Sequence, residues 1–563
     1  MAAPSIDPLL AELEKLRDRF EAGSGSRAVK LLSALGRRKF HTATSLIRFH
    51  EALLFLRAFP HNLQVVRVSE DLLRNFSRRV QELQAAGADM DEFDPLEVSG
   101  IAGTAMQDTL SFDVVRWLVA RIRRVEIVWD EWDAERASAA VWPIFMPLLE
   151  DDGYVEADVP WQKWLRTASD GKNLEWLVQR FEALTVSDSE RAQRYDSLRF
   201  PVCWRLDRHR LSRTRNWTRV RRPFYQTKPL TTRRDVFLPR ELAQAPPTLR
   251  RLPLSQGKAV MHMIREVMLV RYRELYGTTL GDPRSVRRAD VGRGVSIYLW
   301  NLPPERRLPL RAYVAGFTLK NGVPINYIEA IGLFEWIEMG FNTFYTFRGG
   351  EVAWIYAQVL RCLCRLTGAT CISMYPYQLG HGNDEAIESG AFWFYRKLGF
   401  RPGRADLLAL TEREEEKMAR DRKHRTSTKT LRRLAEGHVF YELAGSEPGA
   451  WDRFSTRNIG MKVNQRMARQ FKGNEQHFRK TAAEWLARLL DVSLSSWSPL
   501  QRASFETLAM VLSLVPEVVS WDEQEKRVLV QIIRAQSAAN EMRYLKLTQK
   551  HPRLRQVLLK LGS

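Results

Sequence analysis

Apolar residues recur at helical spacing through the first two hundred positions of the chain. Segments such as LLAELEKLRDRF, SLIRFHEALLFLRAF and SFDVVRWLVARIRRVEIVW place apolar side chains three and four positions apart, which is the spacing of one helix face. Short polar loops, for example AAGADMDEFD, separate these segments. The pattern therefore predicts an all-helical N-terminal domain over residues 1–204.

The pattern changes in the middle of the chain. Three runs are rich in β-branched and aromatic residues and predict strands: residues 297–300, 311–319 and 324–331. Asn321 and Gly322 lie between the last two runs and predict a tight hairpin, because both residue types tolerate positive φ. We expect a further strand over residues 336–347, which is either central and covered on both faces or interrupted by a bulge near Gly340.

An amphipathic helix follows this strand. In EVAWIYAQVLRCLCRLTG the apolar and polar residues lie on opposite faces, and Gly368 supplies a C-terminal stop. A strand ATCISMY, a polar loop and a short helix SGAFWFYRKLG that ends at Gly399 come next. Helical patterns return afterwards, so we expect a mixed domain over residues 255–410 and a helical C-terminal region over residues 411–563.

Positive charge is in excess over the whole chain. Lys and Arg number 87 against 66 Asp and Glu, a formal net charge of +21, which attracts polyanions. Residues 205–254 are predicted as a basic arm or linker, and its basic part begins at Arg205 and ends at Arg234. Trp217, Phe224 and Tyr225 are interspersed there, so this segment is a candidate nucleic-acid contact. The alternative is that it packs along acidic helices of the same chain.

The four cysteines form no CxxC pair and have no neighbouring histidine cluster, so we expect no metal site and a reduced, cytoplasmic compartment. The N-terminus has no basic stretch followed by an apolar one, and we expect no secretion signal. The longest apolar stretch without a charge, residues 137–149, is shorter than a bilayer requires and contains two prolines. We therefore expect no membrane span. The sequence leaves the oligomeric state open.

A glycine-containing junction joins the strand predicted over residues 336–347 to the amphipathic helix. It reads Arg348, Gly349, Gly350, Glu351, Val352 and Ala353. A loop at such a junction directs backbone N–H groups, together with the positive end of the helix dipole, at an anion such as a pyrophosphate. A plain turn that enters a helix is the alternative.

A second piece of local sequence, AFWFYRKLGF over residues 391–400, follows Asn383 in the polar loop. With the order of elements, the two pieces make residues 296–402 resemble the GNAT superfamily of acyltransferases. The junction is similar to the family's (Gln/Arg)-x-x-Gly-x-(Gly/Ala) signature, and the second piece is similar to its A-x-x-F-Y-x-K-x-G-F ending. The resemblance implies an α+β fold, a GNAT-like mixed sheet between large helical regions.

The resemblance also implies roles for individual residues. The six junction residues and Asn383 would bind acetyl-CoA or another acyl-CoA. Glu351 departs from the family, which has glycine there, and a carboxylate at that point would repel a pyrophosphate and obstruct the approach of the backbone. Tyr395 would protonate the leaving thiolate as general acid. The alternative for Tyr395 is that it only packs its helix onto the sheet.

Transfer to an amine also requires a base, and strand carboxylates are natural candidates. Glu338 is the first choice because it precedes the junction, and Glu329 and Glu335 are alternatives. We expect His381 to be a solvated loop residue. Cys362 and Cys364 have no recognisable base beside them, so we expect packed side chains rather than nucleophiles.

Three functions are compatible with these features. The first is an enzyme, an acyl-CoA-dependent N-acyltransferase that moves an acyl group to an unidentified amine acceptor. The second is a non-catalytic scaffold that keeps the fold and binds nucleic acid through its basic surface. The third is a transferase that takes an aminoacyl group from charged tRNA. A fold alone does not decide between them, because one fold hosts many functions.

Overall fold

The computed structural model describes residues 6–122, 124–128, 145, 161–206 and 211–563. The chain forms two compact units. The first comprises Met1–Thr218, Tyr225–Lys228 and His262–Thr279, and the second comprises Arg219–Phe224, Pro229–Met261 and Leu280–Ser563. No helix in the described part of the chain is long and apolar enough to cross a membrane. The apolar stretch at residues 137–149 lies outside the described residues, apart from residue 145.

The first unit is mainly helical. Its helices include α1 (Ile6–Leu16), α2 (Ser24–Gly36), α3 (Ala43–Ala58), α4 (Leu63–Arg74), α5 (Phe76–Ala85), α6 (Phe112–Val119), α7 (Trp161–Ser169), α8 (Asn173–Glu182) and α9 (Asp188–Leu198). Three strands accompany them: β1 (Ala105–Thr109), β2 (Val125–Ile127) and β3 (Pro201–Arg205). The prediction of an all-helical region was wrong at these strands, which are too short to show a period-two pattern.

The small sheet of the first unit has β3 in its centre, antiparallel to both β1 and β2. Trp204 of β3 is fully buried and belongs to one apolar core with Tyr195, Phe181 and Phe112. The rings of Phe181 and Tyr195 meet edge to face with centroids 5.3 Å apart, which is a favourable aromatic geometry. The surrounding helices therefore bury the face of β3 that carries Val202 and Trp204, whereas Cys203 is half-buried and Arg205 is exposed.

The second unit is built on a nine-stranded sheet. Its strands are β4 (Arg250–Arg251), β5 (Arg287–Asp290), β6 (Val295–Asn301), β7 (Ala312–Lys320), β8 (Val323–Leu333), β9 (Trp336–Thr343), β10 (Cys371–Met374), β11 (Arg401–Pro402) and β12 (Val439–Glu442). The spatial order is β11-β12-β10-β9-β8-β7-β6-β5-β4. Within this sheet β9 and β10 are parallel, and the other neighbouring strands are antiparallel.

The remaining helices of the described chain follow in order. They are α10 (Leu238–Ala243), α11 (Leu254–Leu269), α12 (Tyr276–Thr279), α13 (Val352–Thr367), α14 (Pro376–Leu379), α15 (Asp384–Glu388), α16 (Ala391–Arg396), α17 (Ala405–Arg420), α18 (Thr428–Leu434), α19 (Thr456–Phe471), α20 (Glu475–Leu489), α21 (Pro499–Leu512), α22 (Glu523–Gln536), α23 (Glu541–Thr548) and α24 (Pro552–Gly562). The predicted α13 is confirmed, and Gly368 ends it with a φ of 77°.

The predicted hairpin between β7 and β8 is confirmed. Asn321 and Gly322 have φ values of 49° and 81°, so both turn residues adopt the left-handed conformation that the sequence indicated. β9 is a central strand between β8 and β10, and Gly340 pairs regularly with Glu329. The alternative of a bulge near Gly340 was wrong, and the register shift lies in the pairing of β7 with β8, between Thr318 and Leu319, where Ile325 of β8 is the extra residue.

β12 was missed by the sequence analysis. It lies inside the region predicted as helical and adds to the sheet beside β10. Its four residues are too few to give a clear strand pattern between the helices α18 and α19. This addition makes β10 a central strand as well, and it brings the residue before β12, His438, next to the end of β10.

Candidate functional site

The parallel strands β9 and β10 part at one end. Their pairing runs from Trp336 opposite Cys371 to Met339 opposite Met374. β10 ends there, whereas β9 continues to Thr343 along β8. Crevices at the carboxyl ends of parallel strands are common ligand sites, because the two chains leave the sheet in different directions there. The predicted site residues lie around this point.

The loop that follows β9 leads into α13. It contains a short 3-10 turn, Tyr345–Phe347, so the strand predicted through residue 347 ends at Thr343. Gly349 is exposed, and a Cβ added there would meet nothing within 4 Å. Gly350 donates its N–H to the carbonyl of Phe347 at 2.9 Å, which closes the turn. The loop therefore leaves free space beside Gly349, at the entrance to a helix.

The first turn of α13 has no side-chain cap. In the described part of the chain, no acceptor hydrogen-bonds the backbone N–H groups of Val352, Ala353 or Trp354. Such orphan donors at a helix start carry the positive end of the helix dipole and favour an anion. The predicted anion-binding character of this junction thus has a local structural basis.

The Glu351 carboxylate is fully buried and lies among cations. Its Oε2 accepts a hydrogen bond from Lys320 Nζ at 3.3 Å, and both side chains are 0% exposed. Its Oε1 pairs with Arg293 and accepts the N–H of Thr231 at 3.2 Å. Lys320 also donates to the carbonyl of Arg293 at 2.6 Å. The negative charge that the sequence suggested would repel a pyrophosphate is therefore neutralised inside the protein.

Two other predicted binding residues have intramolecular partners. Arg348 pairs with Glu385, and its guanidinium lies 4.3 Å from the centroid of the Tyr345 ring. Asn383 caps α15 by accepting the N–H of Ala386 at 3.2 Å, and it donates to the carbonyl of Tyr377 at 3.0 Å. Asn383 thus holds the fold of the polar loop.

Tyr395 is buried on α16, and its ring contacts that of Tyr356 with centroids 5.6 Å apart. Tyr356 in turn places its hydroxyl 3.8 Å from the sulfur of Met339 and 3.5 Å from that of Met374. These methionines are the last paired residues of β9 and β10, so Tyr395 lies close to the point where the strands part. Burial raises the pKa of Tyr395 well above its ordinary value, so the phenol stays protonated.

Glu338 forms a pair with a histidine that the sequence analysis did not select. Glu338 Oε2 lies 2.9 Å from His438 Nε2, and Oε1 accepts from Arg311 at 3.2 Å. Burial by itself would raise the pKa of Glu338, but the hydrogen bond from His438 and the charge of Arg311 lower it below the ordinary value. Glu338 therefore stays ionised and is a poor base.

The second ring nitrogen of His438, Nδ1, takes no part in the pair with Glu338. Because an ionised carboxylate can only accept, the neutral form of the imidazole in this pair carries its proton on Nε2 and its lone pair on Nδ1. Among the described residues, none hydrogen-bonds Nδ1, and the side chain is 28% exposed. A carboxylate that orients a histidine is the arrangement by which many enzymes prepare a general base. The sequence offered no signal, since residue 438 is one hundred positions from Glu338.

The two alternative carboxylates differ from Glu338. Glu329 accepts a hydrogen bond from the hydroxyl of Tyr313, and burial raises its pKa. Glu335 accepts from Trp451 Nε1 at 2.8 Å and pairs with Arg555 at 2.7 Å, so it has a structural role. Glu329 is opposite Gly340, on the half-buried side of β9.

Tyr395 and Glu338 lie on opposite faces of the sheet. Side chains alternate along β9, so Met339 is directed toward the Tyr356 side and Glu338 toward the other. Glu338, Gly340 and Asn342 are half-buried, whereas the residues on either side of Glu338 and Gly340 are buried. Tyr395, the acid candidate, and the Glu338–His438 pair, which contains the base candidate, thus lie on opposite sides of the gap between β9 and β10.

The remaining candidates are one histidine and two cysteines. His381 is exposed in its loop, as expected. Burial raises the pKa of Cys362 and of Cys364 to about 12, so both thiols stay protonated. Within the described residues, no group of three or more His, Cys, Asp or Glu could hold a metal ion.

The basic segment that runs from Arg205 to Arg234 is described except at residues 207–210. In the first unit, Arg213 is 4% exposed and pairs with Glu51 of α3 at 3.5 Å, as the packing alternative expected. Trp217 lies under the guanidinium of Arg57 at 4.8 Å. In the second unit, Phe224 hydrogen-bonds Asn321 through its N–H at 2.8 Å. Two of the three aromatic residues of the segment therefore have partners within the chain.

Comparison with known proteins gives no relative for this chain: no family model, no curated protein and no solved structure matches it.

Proposed function

We propose that the second unit is an acyl-CoA-dependent N-acyltransferase with a GNAT-like core. The observation that carries the proposal is the gap between the diverging strands β9 and β10, which has an acid candidate on one side and an oriented histidine on the other. The uncapped start of α13 lies at the same end of the sheet. It supports the binding of a phosphate-bearing donor there.

The donor would approach from the α13 side. The N–H groups of Val352 to Trp354 would meet its pyrophosphate, and the free space at Gly349 would let the backbone come close. A bound acyl-CoA supplies an activated thioester. The neutral hydroxyl of Tyr395 would donate a hydrogen bond to the leaving sulfur, which is the role that the family resemblance implies.

The acceptor amine would approach from the other face. Nδ1 of His438 would take the proton of the attacking amine, and Glu338 would hold the imidazole and stabilise the imidazolium that forms. The new C–N bond replaces the C–S bond, and the sulfur leaves as a thiol. Glu338 thus becomes a positioning residue in place of the base that the sequence predicted.

The donor site can be tested by calorimetric titration of acetyl-CoA and octanoyl-CoA. Gly349→Ala should keep the stability of the protein, because nothing lies within 4 Å of the added Cβ, yet weaken binding about tenfold by obstructing the phosphates. Gly460→Ala is the matched control, since its Cβ also meets nothing within 4 Å and it lies in α19. Absence of acyl-CoA binding by the wild-type protein would refute the proposal.

The catalytic roles require a transfer assay. Release of free thiol from acetyl-CoA would be followed with a panel of lysine, spermidine and glycyl peptides as acceptors. His438→Gln should lower kcat about 100-fold or more and leave acetyl-CoA affinity unchanged, since general-base catalysis contributes roughly that factor. Glu338→Gln should lower kcat less and shift the acidic limb of the pH profile. Full activity of His438→Gln would rule out this histidine as the base.

A further inference from the structure

A stretch of the chain that contacts Tyr375 carries positive charge and no acidic residue. Residues 453–472 contain six Lys and Arg and no Asp or Glu. Most of this stretch is α19, in which Ile459 is the buried residue. Lys462 and Arg466 donate to the carbonyls of Leu561 and Ser513, so these two hold the helix in place. Arg457, Arg469 and Lys472 are exposed and leave an outward cationic edge.

Exposed tyrosine rings lie at the start of this edge. Tyr375 and Tyr377 are 37% and 47% exposed, although tyrosine is usually at least partly buried. Arg457 donates to the hydroxyl of Tyr375 at 3.3 Å, so the cationic helix and the first ring are in contact. Tyr375 directly follows β10, at the end where β9 and β10 part.

The same ring reaches the proposed base. The centroids of the Tyr375 and His438 rings are 5.4 Å apart, and His438 is bonded to Glu338. A second exposed basic stretch precedes His438 in the sequence, with Arg422 and Lys423 between α17 and α18 and Lys429 in the first turn of α18. In sequence, the base candidate therefore lies between two cationic stretches, and its ring lies beside the exposed ring of Tyr375.

We propose that this surface binds single-stranded nucleic acid and that the acceptor amine is carried by that strand; the second part rests on the proposed acyltransferase function. Cations that follow a backbone, together with rings on which bases stack, are what an unpaired strand requires. Phosphates would meet Arg457, Arg469 and Lys472, and bases would stack on Tyr375 and Tyr377. The amine would then reach Nδ1 of His438, and its proton would pass to that nitrogen as the C–N bond forms and the C–S bond breaks.

The surface differs from the basic segment that the sequence selected. The segment that ends at Arg234 has Trp217 and Phe224 engaged within the chain. Around α19, in contrast, the tyrosines are exposed and the cations have no acidic residue between them in sequence. The exposure of its cations and of the neighbouring tyrosine rings therefore favours α19 over the Arg205–Arg234 segment as the nucleic-acid surface.

The test is fluorescence anisotropy with labelled 15-nucleotide RNA and DNA single strands and with the duplex, on the full chain. A triple variant, Arg457→Gln, Arg469→Gln and Lys472→Gln, should weaken single-strand binding and lower the salt slope by roughly 2, since each phosphate contact on a single strand contributes about 0.7. Tyr375→Leu should weaken binding about tenfold with an unchanged salt slope, because stacking does not release counterions.

The control is a charge-matched triple variant in the first unit, Arg37→Gln, Arg38→Gln and Arg78→Gln, which removes the same charge from another basic groove. Equal loss in the two triple variants would overturn the proposal, because binding would then follow net charge alone. Preference for the duplex, or binding of phosphatidylserine vesicles but of no RNA or DNA, would overturn it as well.

Acetyl-CoA titration of the same preparations separates this proposal from the function on which it rests. Acetyl-CoA binding without strand binding would refute the nucleic-acid surface and leave the acyltransferase proposal intact. Strand binding without acetyl-CoA binding would refute the acyltransferase and the acceptor role. The expected result is transfer of labelled acetyl to an amine-bearing strand, with a higher KM for the strand in Tyr375→Leu and a strongly lowered kcat in His438→Gln.

Discussion

The buried ion pair of Glu351 with Lys320 makes a quantitative prediction about stability. Replacing Glu351 with Gln keeps the shape of the side chain but leaves Lys320 and Arg293 without their anion. Both partners of the pair are 0% exposed, so solvent cannot compensate. Breaking a buried pair in this way costs about 3–5 kcal/mol, because an uncompensated charge remains in the interior.

The protonation of Lys320 sets an upper limit on that cost. The folded protein can avoid the buried charge by releasing the lysine proton. Starting from the ordinary pKa of 10.5, release at pH 7 costs about 1.4 kcal/mol for each pH unit, or about 5 kcal/mol. A loss greater than this would require a second effect, such as the unpaired Arg293.

The same lysine gives the variant a pH dependence. Burial already lowers the pKa of Lys320 to about 8 in the wild-type protein, against 10.5 when exposed. Between these values the unfolded chain binds more protons, so the free energy of unfolding rises with pH. In Glu351→Gln the pKa of Lys320 in the folded protein is lower still, so the free energy of unfolding begins to rise at a lower pH. The deficit of the variant should therefore shrink between pH 7 and pH 9.

Urea unfolding followed by far-ultraviolet circular dichroism at the two pH values measures this deficit. Glu351→Gln with Lys320→Met should recover most of the loss, since methionine fills the space without a charge. Glu385→Gln is the matched control, because its pair with Arg348 is about one third exposed and such pairs contribute at most about 1 kcal/mol. A loss below 1 kcal/mol in Glu351→Gln, or a double variant no better than the single one, would refute the reasoning.

Three further predictions concern the rest of the second unit. Burial raises the pKa of Glu541 from 4.5 to about 7, so between these pH values the folded state binds more protons than the unfolded state. The free energy of unfolding should therefore fall by up to about 3 kcal/mol as the pH rises from 4.5 to 7. In urea unfolding, Glu541→Gln should flatten this part of the curve of stability against pH. Gly322→Ala should cost about 1–2 kcal/mol in urea unfolding, because the residue has a φ of 81°. Arg401→Lys should lower the melting temperature, because the Arg401 guanidinium donates to Glu442 through two nitrogens and also to Asp452. Lysine cannot reproduce this forked arrangement. An unchanged melting temperature would show that these hydrogen bonds add nothing to stability.

The sequence predicted those parts of the fold that have a local cause. The hairpin at Asn321 and Gly322 needs positive φ at two adjacent residues, and α13 has a clear apolar face and a glycine stop. β1, β2 and β12 have three to five residues each, and their place in a sheet depends on partners far away in the chain. No periodicity in so short a segment distinguishes a strand from a loop.

The candidate site was predicted in part for the same reason. The junction and Tyr395 are local motifs, and the structure places both beside the parallel strands. His438 and Lys320 are ordinary residues in sequence, and their roles arise only from long-range contacts with Glu338 and Glu351. The lowered pKa of Glu338, which makes the proposed positioning role fit better than the role of a base, also depends on those contacts.

The sheet also implies an order of assembly. Strands β6 to β9 are neighbours both in the chain and in space, so their pairing closes short loops and is fast. β10 must return across α13, and β12 joins it only after α14 to α18 have been traversed. Each of these steps closes a longer loop and carries a larger entropic cost. The gap between β9 and β10 is thus completed late in folding, and slow or failed docking of β12 would leave a folded meander with no His438 beside Glu338.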